Sequence, residues 1–304
     1  MQSYRKAAIV YLALFSAMLI WGLSFLAIKD VVKTVPIFTL LFLRFIVAAI
    51  LLGILGGIQG KLRLPGRELV TLAGLSLLSP VGYFLFETFG VSYTQPSHVS
   101  VIIATIPTVV FLIAFFRRQE RATWSKGLGI VVAYIGIFLI IGSGRHESGA
   151  SLTGDLLILG AVLCAATRTV LIVDVLKRVT PLQLTFYQFF FSLLLFGPLA
   201  VTDGLNWLTQ VNTTIVSEIL FLGVLCSAGA FFAMHYALVY LSATKVAVSA
   251  NSIPIITLFA EVLLMGGSLT FFKVLGTLAT IAGVMLTQLD KVNLKTVVEE
   301  IEEG

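Results

Sequence analysis

Long apolar runs alternate along this chain with short polar connections. Ten runs stand out, at 8–28, 37–58, 69–92, 97–116, 124–142, 154–173, 182–202, 216–240, 246–266 and 271–289. Each is close to the roughly 20 residues that an α-helix needs to cross a hydrocarbon core at a rise of about 1.5 Å per residue. Apolar residues are continuous within the runs, unlike the alternation of a barrel strand. The pattern predicts an all-α membrane protein with ten transmembrane helices. No connection is long enough for a second domain. The first run lacks a small-residue cleavage site, so it reads as a retained span and not a signal peptide.

The runs repeat. Shifting the chain by 147 positions places Gly82 on Gly229, Phe84 on Phe231, Tyr93 on Tyr240, Val99 on Val246, Pro107 on Pro254, Lys126 on Lys273, Gly129 on Gly276 and Gly136 on Gly283. A shift of 145 places Pro36 on Pro181. The chain therefore divides into two halves of five spans, 1–147 and 148–290, with an acidic tail at 291–304. Five is odd, so the second half is expected to be inverted across the membrane. Inverted repeats are typical of secondary transporters, which hold substrate near the midplane between the halves.

Composition agrees. The chain is 58% hydrophobic and only 12% charged, against roughly 45–50% apolar and about 25% charged in soluble domains. The net charge of +5 needs no nucleic acid to explain it, because basic residues flanking spans orient a membrane protein. With the N-terminus inside, 14 of the 20 Lys and Arg fall on the cytoplasmic side and 4 outside, while Arg44 and Arg168 lie within spans. Both termini are thus expected in the cytoplasm and the protein in the cell membrane. Cys164 and Cys226 sit in apolar runs and read as small buried hydrophobes. No metal or phosphate-binding motif is present, and no cofactor is expected.

The run Trp21-Gly22-Leu23-Ser24-Phe25 followed by Lys29 resembles the "WGxxF…K" signature in the first span of EamA-type carriers of the drug/metabolite transporter superfamily. Arg44-Phe45 resembles that family's "RF". Pro107 with Gln119-Glu120-Arg121 resembles its "P…(G)ER", and Pro254 with Gly276 and Gly283 repeats the pattern. The resemblance covers nearly the whole chain. It implies transport of a small metabolite, often export of amino acids or toxic compounds. The halves have diverged: Ala166-Thr167, followed by Arg168, replace the Trp-Gly pair, and Gly267 stands opposite Glu120. An asymmetric site is expected.

Ionisable residues inside spans are costly, at least about 2.5–3.5 kcal/mol for a charge at the bilayer centre, and each is a functional candidate. Five qualify: Arg44, Glu87, Arg168, His235 and Glu261. By depth, Arg44, Glu87 and Glu261 form an expected outer cluster, with Arg44 neutralising one or both carboxylates from the periphery of the cavity. Glu87 or Glu261 carries a proton during transport, or else a static ion pair holds helices together. Arg168 and His235 lie toward the inner side. The planar fork of Arg168 suits a carboxylate or phosphate, unless it snorkels to the interface. His235 reads as a proton relay or a hydrogen-bonded core residue.

Pro107 and Pro254 interrupt the fourth and ninth spans and free the carbonyls of Ile103 and Ala250. Paired interruptions of this kind point to a transporter site. Thr105, Asn251 and Ser252 supply polar groups beside them. Trp21, Ser24, Phe25, Tyr83 and Tyr236 are candidates for an aromatic-walled cavity. Gly129 and Gly136 on the fifth span, and Gly276 and Gly283 on the tenth, form small-residue faces that either pack together or mediate a homodimer. Glu68, Asp155 and Glu218 are expected to open helices and complement their dipoles.

These readings converge on alternating-access export of amino acids or related compounds, driven by facilitated diffusion or proton antiport. The substrate is a small molecule and the surrounding partner is lipid. A broad drug exporter, a nucleotide-sugar-type carrier, a channel or receptor, and an intramembrane enzyme are the alternatives. The last lacks a recognisable nucleophile–base or metal-ligand set, with His98 and His146 both expected outside.

Overall fold

The computed structural model describes residues 2–117, 123–144, 151–241, 246 and 249–288. Gln119-Glu120-Arg121, His146 and the acidic tail lie outside the described residues. Every regular element is helical: α1 Gln2–Val31, α2 Ile37–Ile58, α3 Gly66–Ser76, α4 Tyr83–Tyr93, α5 Pro96–Ile103, α6 Ile106–Phe116, α7 Trp124–Gly144, α8 Leu152–Val175, α9 Pro181–Thr202, α10 Thr213–Leu220, α11 Phe231–Tyr240, α12 Ser252–Met265 and α13 Phe271–Gln288. Seven helical stretches among the described residues are long and apolar enough to cross a membrane. Three shorter apolar helices, Trp124–Ile140, Ser252–Met265 and Phe271–Thr287, stand beside them.

Helix ends follow local chemistry. Pro181 opens α9 behind a capping box, in which Thr180 Oγ1 accepts from the Gln183 N–H and Gln183 Oε1 accepts from the Thr180 N–H. Asn212 caps α10 by accepting from the Ile215 N–H at 3.0 Å. Gly204 and Gly266 follow α9 and α12 in the left-handed region, with φ of 69° and 68°.

Several spans are interrupted. A π-helical turn at Leu77–Gly82 separates α3 from α4. A longer one at Phe221–Ala230 separates α10 from α11. A shift of 147 lays the first on the second. The fourth span breaks at Ala104 and Thr105, between α5 and α6.

Packing brings corresponding spans together. Helix α7 lies against α13, α2 against α9, and α5 against α12. Other contacts cross between the halves: α8 packs on α4, α5 and α6, just as α1 packs on α11 and α12. The pairs α7/α13 and α2/α9 run antiparallel. Gly129 lies beside Gly283 and Gly136 beside Gly276. At the end of α9, Asp203 Oδ2 accepts from both the Thr39 N–H and Oγ1–H at 2.8 Å, at the start of α2.

The small faces of the fifth and tenth spans meet within one chain. A Cβ on Gly136 would stand 2.5 Å from the Gly276 carbonyl oxygen, and one on Gly283 would collide with the Ala133 nitrogen. These neighbours are backbone and cannot swing aside.

Of the acidic residues expected to open helices, Asp155 and Glu68 do so and Glu218 does not. Asp155 opens α8, but it also accepts from Thr94 Oγ1 at 2.7 Å and lies 3.3 Å from His98 Nδ1. Glu68 opens α3 and pairs with Arg178 at 3.0 Å. Glu218 sits near the C-terminal end of α10, so it does not open that helix.

Gly136→Ala is expected to lose about 1–3 kcal/mol through overpacking. Gly127→Ala, in the same helix but with open space around its Cβ, should be neutral or slightly stabilising. Thermal unfolding of the two purified variants compares them directly.

Candidate functional site

The helix interruptions surround a cavity of about 150 Å³ between the halves. Helix α1 contributes Trp21, Ser24 and Phe25, α2 contributes Arg44, and the third span contributes Ser79, Tyr83, Phe84 and Glu87. Pro107 and Ile103 line it from the fourth span, and Ala250 and Ile253 from the ninth. Across from α1, α8 presents Arg168 and Thr169, and α11 presents Phe231 and Met234.

The Trp-Gly pair has a clear division of labour. Trp21 faces the cavity edge, where its indole N–H donates to the Cys226 carbonyl at 3.2 Å, within the π-helical stretch of the eighth span. Its ring meets Phe231 edge-on at 5.1 Å. Gly22 faces the other way. A Cβ there would stand 2.6 Å from Ile256, and the Gly22 carbonyl accepts from Thr257 Oγ1 at 2.8 Å. One side chain thus reaches across to the second half, and its neighbour's missing one lets α12 approach. Ser24 spends its hydroxyl on the Trp21 carbonyl. Lys29 is not a cavity residue: its ammonium donates to the carbonyls of Val91, Ser92 and Thr94 at the end of α4.

Arg44 and Glu87 come together, as depth suggested, but in the cavity wall and not at its periphery. Arg44 Nη1 lies 3.9 Å from Glu87 Oε2. Arg44 Nε donates to Ser227 Oγ at 2.6 Å, and the guanidinium lies 4.2 Å over the Phe84 ring. Tyr83 donates to Glu87 Oε1 at 3.1 Å. Glu261 does not join this cluster. It accepts from the Ser97 N–H at 2.7 Å, at the start of α5, and from Lys273 Nζ at 3.3 Å. Depth along a helix is one coordinate; the direction a side chain faces is another, and Glu261 faces α5 and α13.

Arg168 and His235 also meet. Arg168 Nη2 donates to Gln188 Oε1 and lies 3.4 Å from His235 Nε2. The hydroxyl proton of Thr185 goes to the Pro181 carbonyl. Thr185 Oγ1 is therefore the acceptor for His235 Nδ1 at 2.8 Å, which leaves the Nε2 lone pair facing Arg168. Arg168 is buried in the interior, not snorkelled to an interface.

The remaining candidates divide. Pro107 sits in the first turn of α6, and Ile103, whose carbonyl it leaves without an N–H donor, lines the cavity. Pro254 sits in the first turn of α12. There the Ala250 carbonyl is not free, because the Ile253 N–H donates to it at 3.0 Å. Thr105 is buried behind the wall and bonds the Ile102 carbonyl. Ser252 bonds the Ser249 carbonyl. Asn251 is buried beside Ala250, with neither amide atom partnered among the described residues. Tyr236 departs from the cavity: it lines a separate groove with Leu51, Leu55, Pro181 and Phe232. Sequence reasoning missed Ser79 with Pro80, Ser227 and Gln188. Each is a proline or polar residue inside an apolar run, the same signal that singled out the others.

Among the described residues, no cluster of His, Cys, Asp and Glu could hold a metal ion. The charged groups of the cavity wall offer electrostatic recognition instead. Arg44→Met strands Glu87 and is expected to cost about 3–5 kcal/mol. Glu87→Gln should cost less, because Arg44 keeps Ser227 and Phe84. A double-mutant cycle on thermal unfolding checks both, and the double variant should lose less than the sum.

Comparison with known proteins agrees with this geometry. A model of the EamA-like transporter family matches residues 8–142 and again 152–289. An uncharacterized transporter of Archaeoglobus fulgidus is 30% identical over 280 residues, spanning 91% of this chain and 96% of the relative. The uncharacterized transporter YcxC of Bacillus subtilis is 29% identical over 90% of this chain and 91% of its own. A probable terminal-alkyne amino-acid exporter of Streptantibioticus cattleyicolor is 26% identical, covering 90% and 91%. A solved crystal structure at 17% identity superposes with a TM-score of 0.67 over 92% of this chain and 96% of its own, which speaks for the fold alone. The chain belongs to the EamA-like transporter family of the drug/metabolite transporter superfamily: it is a multi-pass membrane transporter of small molecules and not an enzyme.

Proposed function

We propose that the chain is a secondary carrier of the cell membrane that exports an amino acid or a related small metabolite by alternating access. The observation that carries this reading is the cavity, walled by broken helices of both halves. Repeat-equivalent helices pack antiparallel as α2/α9 and α7/α13, which supports two five-span repeats inverted with respect to each other. An even number of spans with basic residues biased to one side supports both termini in the cytoplasm. The Streptantibioticus cattleyicolor relative supports the amino-acid class.

The wall is mostly apolar and aromatic, with few polar groups, as small-molecule sites are. A broad exporter of lipophilic cations would lean on Glu87. The charge of that carboxylate is offset by Arg44, 3.9 Å away in the same wall, which disfavours the reading. For proton exchange we assign Glu87. It faces the cavity, and its Oε2 makes no hydrogen bond while Arg44 stands 3.9 Å away.

In liposomes loaded with unlabelled amino acids, uptake of labelled ones should saturate and be accelerated by the internal pool. Flux that never saturates would mark a channel and overturn the carrier reading. Glu87→Gln is expected to flatten the pH profile of counterflow; an unchanged profile in the folded variant removes Glu87 as the proton carrier.

A further inference from the structure

Formal charge around the cavity does not balance. Arg44 has Glu87. Arg168, only 4% exposed, has no carboxylate within ion-pair distance among the described residues. Its neighbours are a neutral amide and a histidine that presents a lone pair. An unpaired guanidinium buried among spans is expensive unless something compensates it.

The way Arg168 is held leaves part of it unused. Nη2 alone is anchored, to Gln188 and beside His235. Nε has no partner, and neither does the Gln188 amide nitrogen, which is also buried. Gln188, which does not line the cavity, anchors the guanidinium, while Arg168 itself lines it. A guanidinium anchored through one nitrogen, lining an aromatic-walled space with donor capacity unspent, is built to receive an acceptor.

We propose that Arg168 is the substrate's anion subsite, that the group it takes is a single carboxylate, and that Gln188 is the residue positioning it. The proposal rests on the carrier reading and names the substrate class: a small monocarboxylate with an apolar body. One uncompensated positive charge matches one carboxylate. A phosphate ester would bring more charge than the site offers, since no second unpaired cation lines the cavity. The apolar body lies against Trp21, Phe25 and Phe231. Amino acids and simple monocarboxylic acids share the recognised group, so a panel distinguishes them.

The experiment is thermal unfolding of the purified full chain with monocarboxylates from acetate to phenylpropanoate and with amino acids, each beside its own amide. At least one carboxylate should raise the unfolding temperature by mass action, and its amide should not. Stabilisation confined to amino acids identifies the zwitterion as the ligand; stabilisation by simple acids identifies the carboxylate alone. Either outcome supports the subsite. Arg168→Gln should weaken binding about 10- to 100-fold, the usual value of hydrogen bonds to a charged group.

Gln188→Glu is the sharper variant. It keeps the contact to Nη2 and supplies the missing counter-charge from within. Its unfolding temperature without ligand should rise, and the carboxylate-dependent shift should vanish. Equal stabilisation by acid and amide, no stabilisation by any acid, or an undiminished shift in Gln188→Glu would each overturn the proposal. Saturable counterflow without carboxylate preference would sink the subsite and leave the carrier. Carboxylate binding without counterflow would do the reverse.

Discussion

Lipid offers no hydrogen bonds, and that constraint organises this molecule. Every charge and every interrupted turn that the sequence places inside a span must find its partner within the protein. The irregular backbone of the third, fourth and eighth apolar runs therefore turns one side toward the protein interior. Ser79 of the π-helical turn at Leu77–Gly82, Ile103 and Ile106 on either side of the break at Ala104–Thr105, and Phe231 directly after the turn at Phe221–Ala230 all line one space. The Trp21–Cys226 hydrogen bond joins α1 to one of those turns.

The same constraint separates charges tied up in helix packing from those that line the cavity. Glu261 and Lys273 tie α12 and α13 together while Glu261 receives the start of α5. Asp155 takes Thr94 and lies against His98, and Lys29 gathers three carbonyls at the end of α4. These groups are satisfied where they stand. Arg44 and Glu87 are held more loosely, and Arg168 has only neutral neighbours, so the charge imbalance faces the cavity.

Much of this was legible in sequence. The ten apolar runs, the half-chain shift and the paired prolines follow from hydropathy and from what proline does to a helix. The glycines of the fifth and tenth runs marked faces for close packing, within the chain or between two copies, and the structure shows the first. What sequence did not carry was azimuth. Glu261 shares a depth with Glu87 but faces α5 and α13. Phe231, Met234 and His235 share one face of α11, and Tyr236, one position further, turns toward a groove bordered by α2 and α9. A helix turns about 100° per residue, so a few neighbouring positions sample every direction. Gln188 was legible in principle, because an amide in an apolar run carries the same cost that drew attention to Arg168.

The seam between α7 and α13 has a mechanical consequence. Neither helix borders the cavity, and at Gly129, Gly136, Gly276 and Gly283 no side chain separates their backbones. Such a joint has no cushion. Rolling one helix over the other drives carbonyl oxygens into main-chain nitrogens, whereas an ordinary interface yields by changing rotamers. The two helices are therefore braced against each other as a single stiff beam.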